Sequence, residues 1–309
     1  MLDTEGQPMR VAMAPWLHVE LTGVSRLQSL LVPAIEQALE PIAKTGLPAL
    51  RVGLALALPN ARPGIAADLS ASLMAQLGQR FSAIFRAAAV FPAGHAGGLL
   101  ALDAAIKKLE EGEFDAFVVA GVDSYTEPET LEWLEACEQL HGAGPLNNAW
   151  GFVPGEGAGA VLVAKQAVAQ RLQVAPLANV FAVGIGFESK RIKTETICIG
   201  EGLSQSFRAG LMPLGAGGRV SDVYCDMNGE PYRADEFGFA GLRTKDSFES
   251  LSDFIAPADC WGDVAAAGAA LHIGLAAIAG AKGYSRGKVA FVWASSETGE
   301  RAAVLVATN

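Results

Sequence analysis

Short apolar patterns recur in the two halves of this chain, and the recurrence constrains its fold more than any other feature. FVVAGV (Phe117 to Val122) is answered by FVWASS (Phe291 to Ser296), and GAVLVA (Gly159 to Ala164) by AAVLVA (Ala302 to Ala307). Gly94-His95 opens one small-residue helix, and Gly262-Asp263 is matched to it as the opening of another. Two halves with the same strand–helix order imply a duplicated α/β unit fused around one core. The expected division is a single domain over residues 1–309, with halves at 1–170 and 171–309. The run VAAAGAALHIGLAAIAGAKG from Val264 is long enough to span a bilayer. It is mostly Ala and Gly, carries His272 and lacks flanking aromatic anchors, so it reads as a helix buried on all sides in a large core.

The remaining elements follow from periodicity. Helices are expected over Leu27 to Ile42, which contains Pro33, and over Ala67 to Phe85. RVGLALALP from Arg51 and AAAVFP (Ala87 to Pro92) read as strands. A glycine-rich turn at Ala93 to Gly98 then leads into a helix through Leu109, and FDAFVVAGVDS from Phe114 reads as a buried strand. Apolar strands alternating with helices argue for a parallel sheet covered on both faces. Glu127 to Leu140 reads as a polar helix followed by a loop, HGAGPLNNAW. GFVPGEGAGAVLVAK from Gly151 is a turn feeding a strand, and Lys165 to Pro176 reads as a connection. The second half reads as strand ANVFAVGIGF, helix EGLSQSFRAGL, strand SDVYCDMNG, the Ala-rich helix, and strands KVAFVWASS and ERAAVLVAT.

Composition excludes several functions. A net charge of −10 repels phosphate backbones, so no nucleic-acid partner is expected. MLDTEGQPMR has neither a basic nor an apolar leader segment, and no membrane partner is expected. Cys137, Cys198, Cys225 and Cys260 form no CxxC pair, so neither a metal nor a cofactor is expected, and reduced thiols fit a cytoplasmic location.

From about residue 50 onward, four segments resemble the thiolase superfamily, most closely the β-ketoacyl-ACP synthases. They are GFVPGEGAGAVLVAK (Gly151 to Lys165), EGEFDAFVVAGVDSY (Glu111 to Tyr125), Asn228-Gly229-Glu230-Pro231 through Asp235-Glu236, and Trp261-Gly262-Asp263 with AAAGAALHIGLAAI. The resemblance implies an α/β thiolase-like fold, two duplicated α/β halves forming a five-layered α-β-α-β-α core. It also implies that the family's nucleophilic cysteine falls at His95, its first histidine at Asn228 and its second at Asp263. The lysine that normally precedes the second histidine falls among Pro257, Ala258 and Asp259. Ser295 to Arg301 stands where the family has a glycine-rich gating loop, and the chain is shorter than catalytic members, mainly before His95.

Those departures leave different functions open. The favoured one is a non-condensing protein that acts by pairing, with Ala87 to Pro92 as the edge through which catalytic relatives dimerise. The partner would be a second copy, an active ketosynthase, or another thiolase-fold chain; an acyl carrier protein or a secretion or effector-cluster protein is a further option. The alternatives are an acyl-thioester hydrolase or acyltransferase using His95 with Asn228 and Asp263, and an active 3-oxoacyl-ACP synthase. A helix N-terminus disfavours imidazolium, so His95 is expected to be neutral. It could serve as a base or simply fill a lost site. Asp263 reads as a general base or a helix cap, and Asn228-Gly229 as a substrate contact or a turn. Glu156 is expected to bond backbone across the junction of the halves. Asp123 and Asp226 are expected to tie down loops, and Cys225 and Cys260 to be inert.

Overall fold

A computed structural model describes residues 1–45, 50–144 and 147–308. Pro145 and Leu146, in the loop expected after the polar helix, lie outside the described residues. The first sheet has the order β2-β1-β3-β4, with β1 Val52–Ala57, β2 Phe85–Phe91, β3 Ala116–Ser124 and β4 Glu156–Ala164. β1, β2 and β3 are parallel, whereas β4 runs antiparallel to β3 from Ala116↔Ala164 to Ser124↔Glu156. The expected all-parallel sheet is therefore mixed.

The second sheet contains β5 Ala178–Val180, β6 Gly184–Phe187, β7 Asp222–Cys225, β8 Phe254–Ile255, β9 Val289–Ser295 and β10 Glu300–Thr308. Its order is β5-β10-β9-β7-β8, with β6 also on β10. β7, β8 and β9 are parallel and β10 is antiparallel to β9, which repeats the arrangement of the first sheet. The expected single strand ANVFAVGIGF is split into β5 and β6, both paired to β10.

Helices are α1 Gly23–Thr45, α2 Leu69–Arg80, α3 Gly97–Glu110, α4 Pro128–Ala136, α5 Gln166–Arg171, α6 Glu201–Leu211, α7 Pro231–Thr244, α8 Ala258–Trp261 and α9 Gly268–Lys282. The expected connection Lys165 to Pro176 thus contains α5. Helix α7 went unrecognised because PYRADEFGFAGLRT mixes charged and glycine residues with its apolar ones.

Five layers result. α1 and α2 cover the outer face of the first sheet through Leu31, Ile35 and Leu73, which pack on Leu54, Leu56 and Val118. α3 and α9 fill the space between the sheets with Ala101, Leu102, Ala105, Ala269 and Ile273. α6 and α7 cover the second sheet through Phe207 and Phe237, with Phe237 stacked on Trp293 at 5.2 Å. Small residues set the spacing of the central layer: a Cβ on Gly98 would stand 2.6 Å from Ala269 Cβ. α9 is not buried on all sides as expected. It packs on β4, the edge of the first sheet, so its far side lacks cover and Ile278 is 46% exposed.

β6 lies against α6 just as closely. A Cβ on Gly186 would meet the Gly202 carbonyl oxygen at 2.0 Å, which backbone must move to admit. Gly186→Ala is expected to lower stability by about 1–3 kcal/mol, measured as a lower denaturant midpoint.

Candidate functional site

In both halves, the chain turns from an extended segment into a small-residue helix. The first half leaves β2 and enters α3 through a tight turn at Gly94–Ala96, where Gly94 adopts φ +57°. The left-handed backbone suits a residue with no Cβ. The second half enters α9 through Ala265–Ala267, with Ala265 at φ +35°. Gly94-His95 therefore corresponds in the fold to Ala265-Ala266, not to Gly262-Asp263 as the sequence match had it. Asp263 precedes its turn and ties the halves together. Its N–H donates to the Val153 carbonyl (2.8 Å), and its carbonyl accepts from Gly155 N–H (2.9 Å).

The structure brings His95, Asn228 and Asp263 into direct contact. His95 Nε2 lies 2.9 Å from both Asp263 oxygens, and Asn228 Nδ2 donates to Asp263 Oδ2 at 2.6 Å. All three are buried, His95 being 6% exposed. Asp263 Oδ1 also accepts the Ala265 N–H at 2.8 Å. The expected helix cap is not Asp263, because Val264 holds that position; Asp263 stands one residue before it and closes a local turn. Asn228 makes a turn as well, its Oδ1 accepting from Glu230 N–H at 3.1 Å.

Burial by itself would push the His95 pKa down. The Asp263 carboxylate outweighs that and the opposing charge of Arg233, so the pKa stands above its ordinary value. Burial also opposes ionisation of Asp263, yet His95, Arg233 and the Ala265 N–H hold it well below the usual carboxylate range. The expectation of a neutral His95 considered only the helix end; a carboxylate in contact with the ring acts in the opposite direction, toward the charged form.

Sequence reasoning gave Gln139 no part in the site, Glu230 and Arg233 only a place in a matched segment, and Glu297 only a place in the segment that stands for the gating loop. Arg233 is buried at the start of α7, with Nη2 3.2 Å from His95 Nε2. Its Nη1 donates to Asp226 Oδ2 and to the Ser295 carbonyl, both at 2.8 Å. Gln139 Nε2 bridges Glu230 and Glu297 at 2.8 Å each, and Lys193 reaches Glu297 at 3.2 Å while lying over the Trp133 ring. An unbroken polar chain thus runs from a surface lysine to the buried imidazole. Only the Pro231 that starts α7 hinted at Arg233, because a proline at a helix start marks what lies in its first turn.

This arrangement matters for acyl chemistry. A thioester carbonyl needs an attacking lone pair and free donors for the oxyanion. Here His95 Nε2 is taken up by both Asp263 oxygens and faced by Arg233 Nη2 at 3.2 Å. The N–H of Ala96, next to the nucleophile position, donates to Ser296 Oγ (2.9 Å), whose hydroxyl donates to the Ala93 carbonyl. Burial pushes the Cys225 thiol up, far from a reactive thiolate.

Of the other expected roles, some hold and some do not. Asp123 holds Arg62 and the backbone of Ser124 and Ala266, and Asp226 holds Arg233 and Ser295 N–H, so both tie down loops as expected. Glu156 does not bond backbone across the junction of the halves. It is taken up within the first half by Arg26 (2.5 and 2.7 Å), Ala14 N–H and Ser124 Oγ, because the N-terminal segment lies alongside it. MRVAMAPWL forms no strand of the sheet; it crosses the site's flank through an Ala12–Gly155 bridge. Glu188, Cys198 and Glu236 could hold a metal by distance. Their carboxylates are already bonded, Glu236 to Arg301 and Ser295, Glu188 to Gly202 N–H, and burial pushes the Cys198 thiol up to about 11.

Comparison with known proteins bears on the fold. Residues 86–169 match the beta-ketoacyl synthase N-terminal domain. No curated protein sequence matches the chain. The ketosynthase from module 6 of the bacillaene synthase from Bacillus subtilis 168 superposes with a TM-score of 0.67 at 16% identity, over 84% of this chain and 55% of that one. A structure of a type II polyketide synthase acyl carrier protein with its ketosynthase bound to the hexaketide gives 0.73 at 14% identity, over 97% and 88%. The ishigamide ketosynthase/chain length factor gives 0.61 at 20% identity, over 96% and 87%. The chain thus spans little more than half the length of the bacillaene ketosynthase. Its fold is the thiolase-like fold.

Proposed function

We propose that the chain is a non-condensing β-ketoacyl-synthase-like protein that acts in the cytoplasm by pairing with another thiolase-fold chain. The observation that carries the reading is the His95–Asp263 contact at 2.9 Å, buried at the place where the resemblance puts a nucleophilic thiol. An imidazole with Nε2 against both Asp263 oxygens and Arg233 Nη2 close to both ring nitrogens has no nitrogen aimed at a thioester or a water, which also argues against the hydrolase alternative. Asp263 in place of a histidine would repel a developing enolate rather than stabilise it.

Pairing is supported by β2. FRAAAVF is the edge of its sheet, Arg86 to Ala89 are exposed, and one side has no strand partner among the described residues. An unpaired edge with one charge invites another strand and is an aggregation hazard when left alone.

The test is the intact mass of the full chain after incubation with an acyl-CoA, an acyl carrier protein thioester and an epoxide ketosynthase inhibitor, with adducts mapped. No acylation of His95, Cys137, Cys198, Cys225 or Cys260 is the expected result. An acyl chain on a thiol beside α3 would overturn it, as would a chain that stays monomeric at micromolar concentration without a thiolase-fold partner.

A further inference from the structure

We infer that the open edge of β4 is a slot for one extended, uncharged segment of another polypeptide, which pairs antiparallel with β4 and adds a strand to the four-stranded sheet. This surface lies at the opposite end of that sheet from β2 and is independent of pairing there.

The internal duplication supplies the template. GAVLVA of β4 matches AAVLVA of β10, so Gly159 corresponds to Ala302 and each later residue to its successor. The faces agree with this register. Val161 and Val163 turn to the central layer, as Val304 and Val306 do, while Ala160 and Leu162 face the outer helices, as Ala303 and Leu305 do. β10 is paired on both sides. β9 runs along one, and β6 and β5 fill the other, opposite Glu300 to Ala303 and Val306 to Thr308. The equivalent stretch of β4, Gly157 to Ala164, has β3 along one side and no strand along the other among the described residues.

Burial records the difference. Arg301 to Val306 are all buried, whereas Ala160 to Ala164 are all half-exposed. The N-terminal segment touches this edge only at its mouth, where Glu156 N–H donates to the Ala12 carbonyl (3.2 Å); two residues on, Ala14 N–H turns to the Glu156 carboxylate. The Glu156 bond also orients the edge. Backbone groups alternate along a strand, so Ala158, Ala160, Leu162 and Ala164 share the outward side with Glu156.

The width of the slot selects the occupant. α1 packs on β4 and β3, as α6 packs on β6 and β10. α9 packs on β4 and β3 in the first sheet and on β10, β9 and β7 in the second. Both α1 and α9 lie more over β4 than over β3. A helix with its side chains is about 10–12 Å across and strands stand about 4.8 Å apart, so each helix reaches about one strand spacing past β4. A second sheet carrying its own flanking helices, such as that of a second copy, meets these overhangs before its edge reaches pairing distance. A lone strand fits between them.

Chemistry completes the description. β4 is uncharged from Gly157 to Ala164. α9 lines the slot with Leu271, whose Cγ stands 2.8 Å from a Cβ built on Gly159, and with Leu275 and the 46%-exposed Ile278 on the same face. A charged side chain entering here would lose its hydration, with no charge on β4 or on this stripe to replace it. The occupant is therefore apolar, as β6 (GIGF) is in the filled counterpart. Open backbone groups give it hydrogen bonds and the two helices give it apolar contact, as in strand addition to other sheet edges.

The test uses the full chain and a fluorescent peptide, ANVFAVGIGF, which copies Ala178 to Phe187 and carries a lysine tail for solubility. The same peptide with proline at alternate positions, which cannot donate to a ladder, is the control. Anisotropy is expected to show saturable binding of the peptide and none of the control. In the free chain, the amides of Ala158, Ala160, Leu162 and Ala164 are expected to exchange fast between slow neighbours held by β3, and saturating peptide is expected to slow these by about tenfold or more. Ala160→Pro, which removes an outward N–H, and Ile278→Lys are each expected to raise the peptide dissociation constant about tenfold or more, with circular dichroism as the folding control. Leu242→Arg on α7, 70% exposed and outside the slot, is expected to leave it unchanged. A wild type that binds both peptides alike, or neither, overturns the slot, as does binding that Ala160→Pro and Ile278→Lys both leave intact. Outward amides that are already slow without peptide show the edge filled by a second copy or by the chain itself, and overturn a separate segment as the occupant.

Discussion

Asp263→Ala is expected to lower the stability of the folded chain by about 3–5 kcal/mol, because removing one partner of a buried ion pair leaves the other charge uncompensated. His95 would then sit in a dry site against Arg233 with no carboxylate at 2.9 Å. Asn228 Nδ2 would keep only Glu230, and the Ala265 N–H would lose its acceptor. The loss should depend on pH in one direction. The His95 pKa is raised in the folded chain, so the contribution of the pair is full below the ordinary histidine value of about 6.5 and is lost as pH rises through the folded value. Asp263 is depressed, so its own contribution is present above about pH 4 and fails only in stronger acid. The gap between wild type and variant should therefore be widest between about pH 4 and 6.5 and narrow in mild alkali. His272 works the other way. Burial lowers it to about 4, so its contribution is present above about 6.5 and is lost as pH falls. That contribution is largely common to both proteins and drops out of the difference. Urea midpoints at about pH 5.5 and about pH 8.5 check this. A gap that is equal at both, or wider in alkali, would show that the imidazole is not held as a cation.

Much of this fold is legible in the sequence because its two halves carry the same apolar patterns. FVVAGV and FVWASS became β3 and β9, GAVLVA and AAVLVA the antiparallel strands beside them. The glycine-rich turn before His95 was legible for a local reason, since few residues other than glycine accept the backbone at Gly94. What escaped depends on distance in sequence. Arg233 meets His95 across 138 residues and Asp226 across 7, and neither contact leaves a spacing pattern. Glu156 was misread for the same reason, because its partner Arg26 lies 130 residues away in a helix whose buried arginine reads like any other helical charge. The matching of Gly262-Asp263 to Gly94-His95 failed because similar letters preceded the turn, while the backbone equivalence lies at Ala265.

Arg233→Met is expected to cost a similar amount, about 3–5 kcal/mol, by a different route. This guanidinium is the cation nearest to both Asp226 and Glu230, at 2.8 and 3.4 Å, and it also satisfies the Ser295 carbonyl. Methionine fills part of the volume and neutralises neither carboxylate. Lysine would restore the charge without the fork that reaches Asp226 and Ser295 together, so Arg233→Lys should recover only part of the loss. The pH dependence separates this case from that of Asp263. Burial already raises Glu230 above the ordinary carboxyl value, and Arg233 is the first group that pulls it back. Without Arg233 the folded pKa rises further. A carboxyl raised in the folded state makes folding costlier above that value, and protonation removes the cost as pH falls. The deficit of Arg233→Met should shrink on acidification, where that of Asp263→Ala is at its widest. Urea midpoints for both variants on the same buffers decide the matter. If both deficits move together with pH, the cluster behaves as one coupled charge and not as the two separable ion pairs described by its geometry.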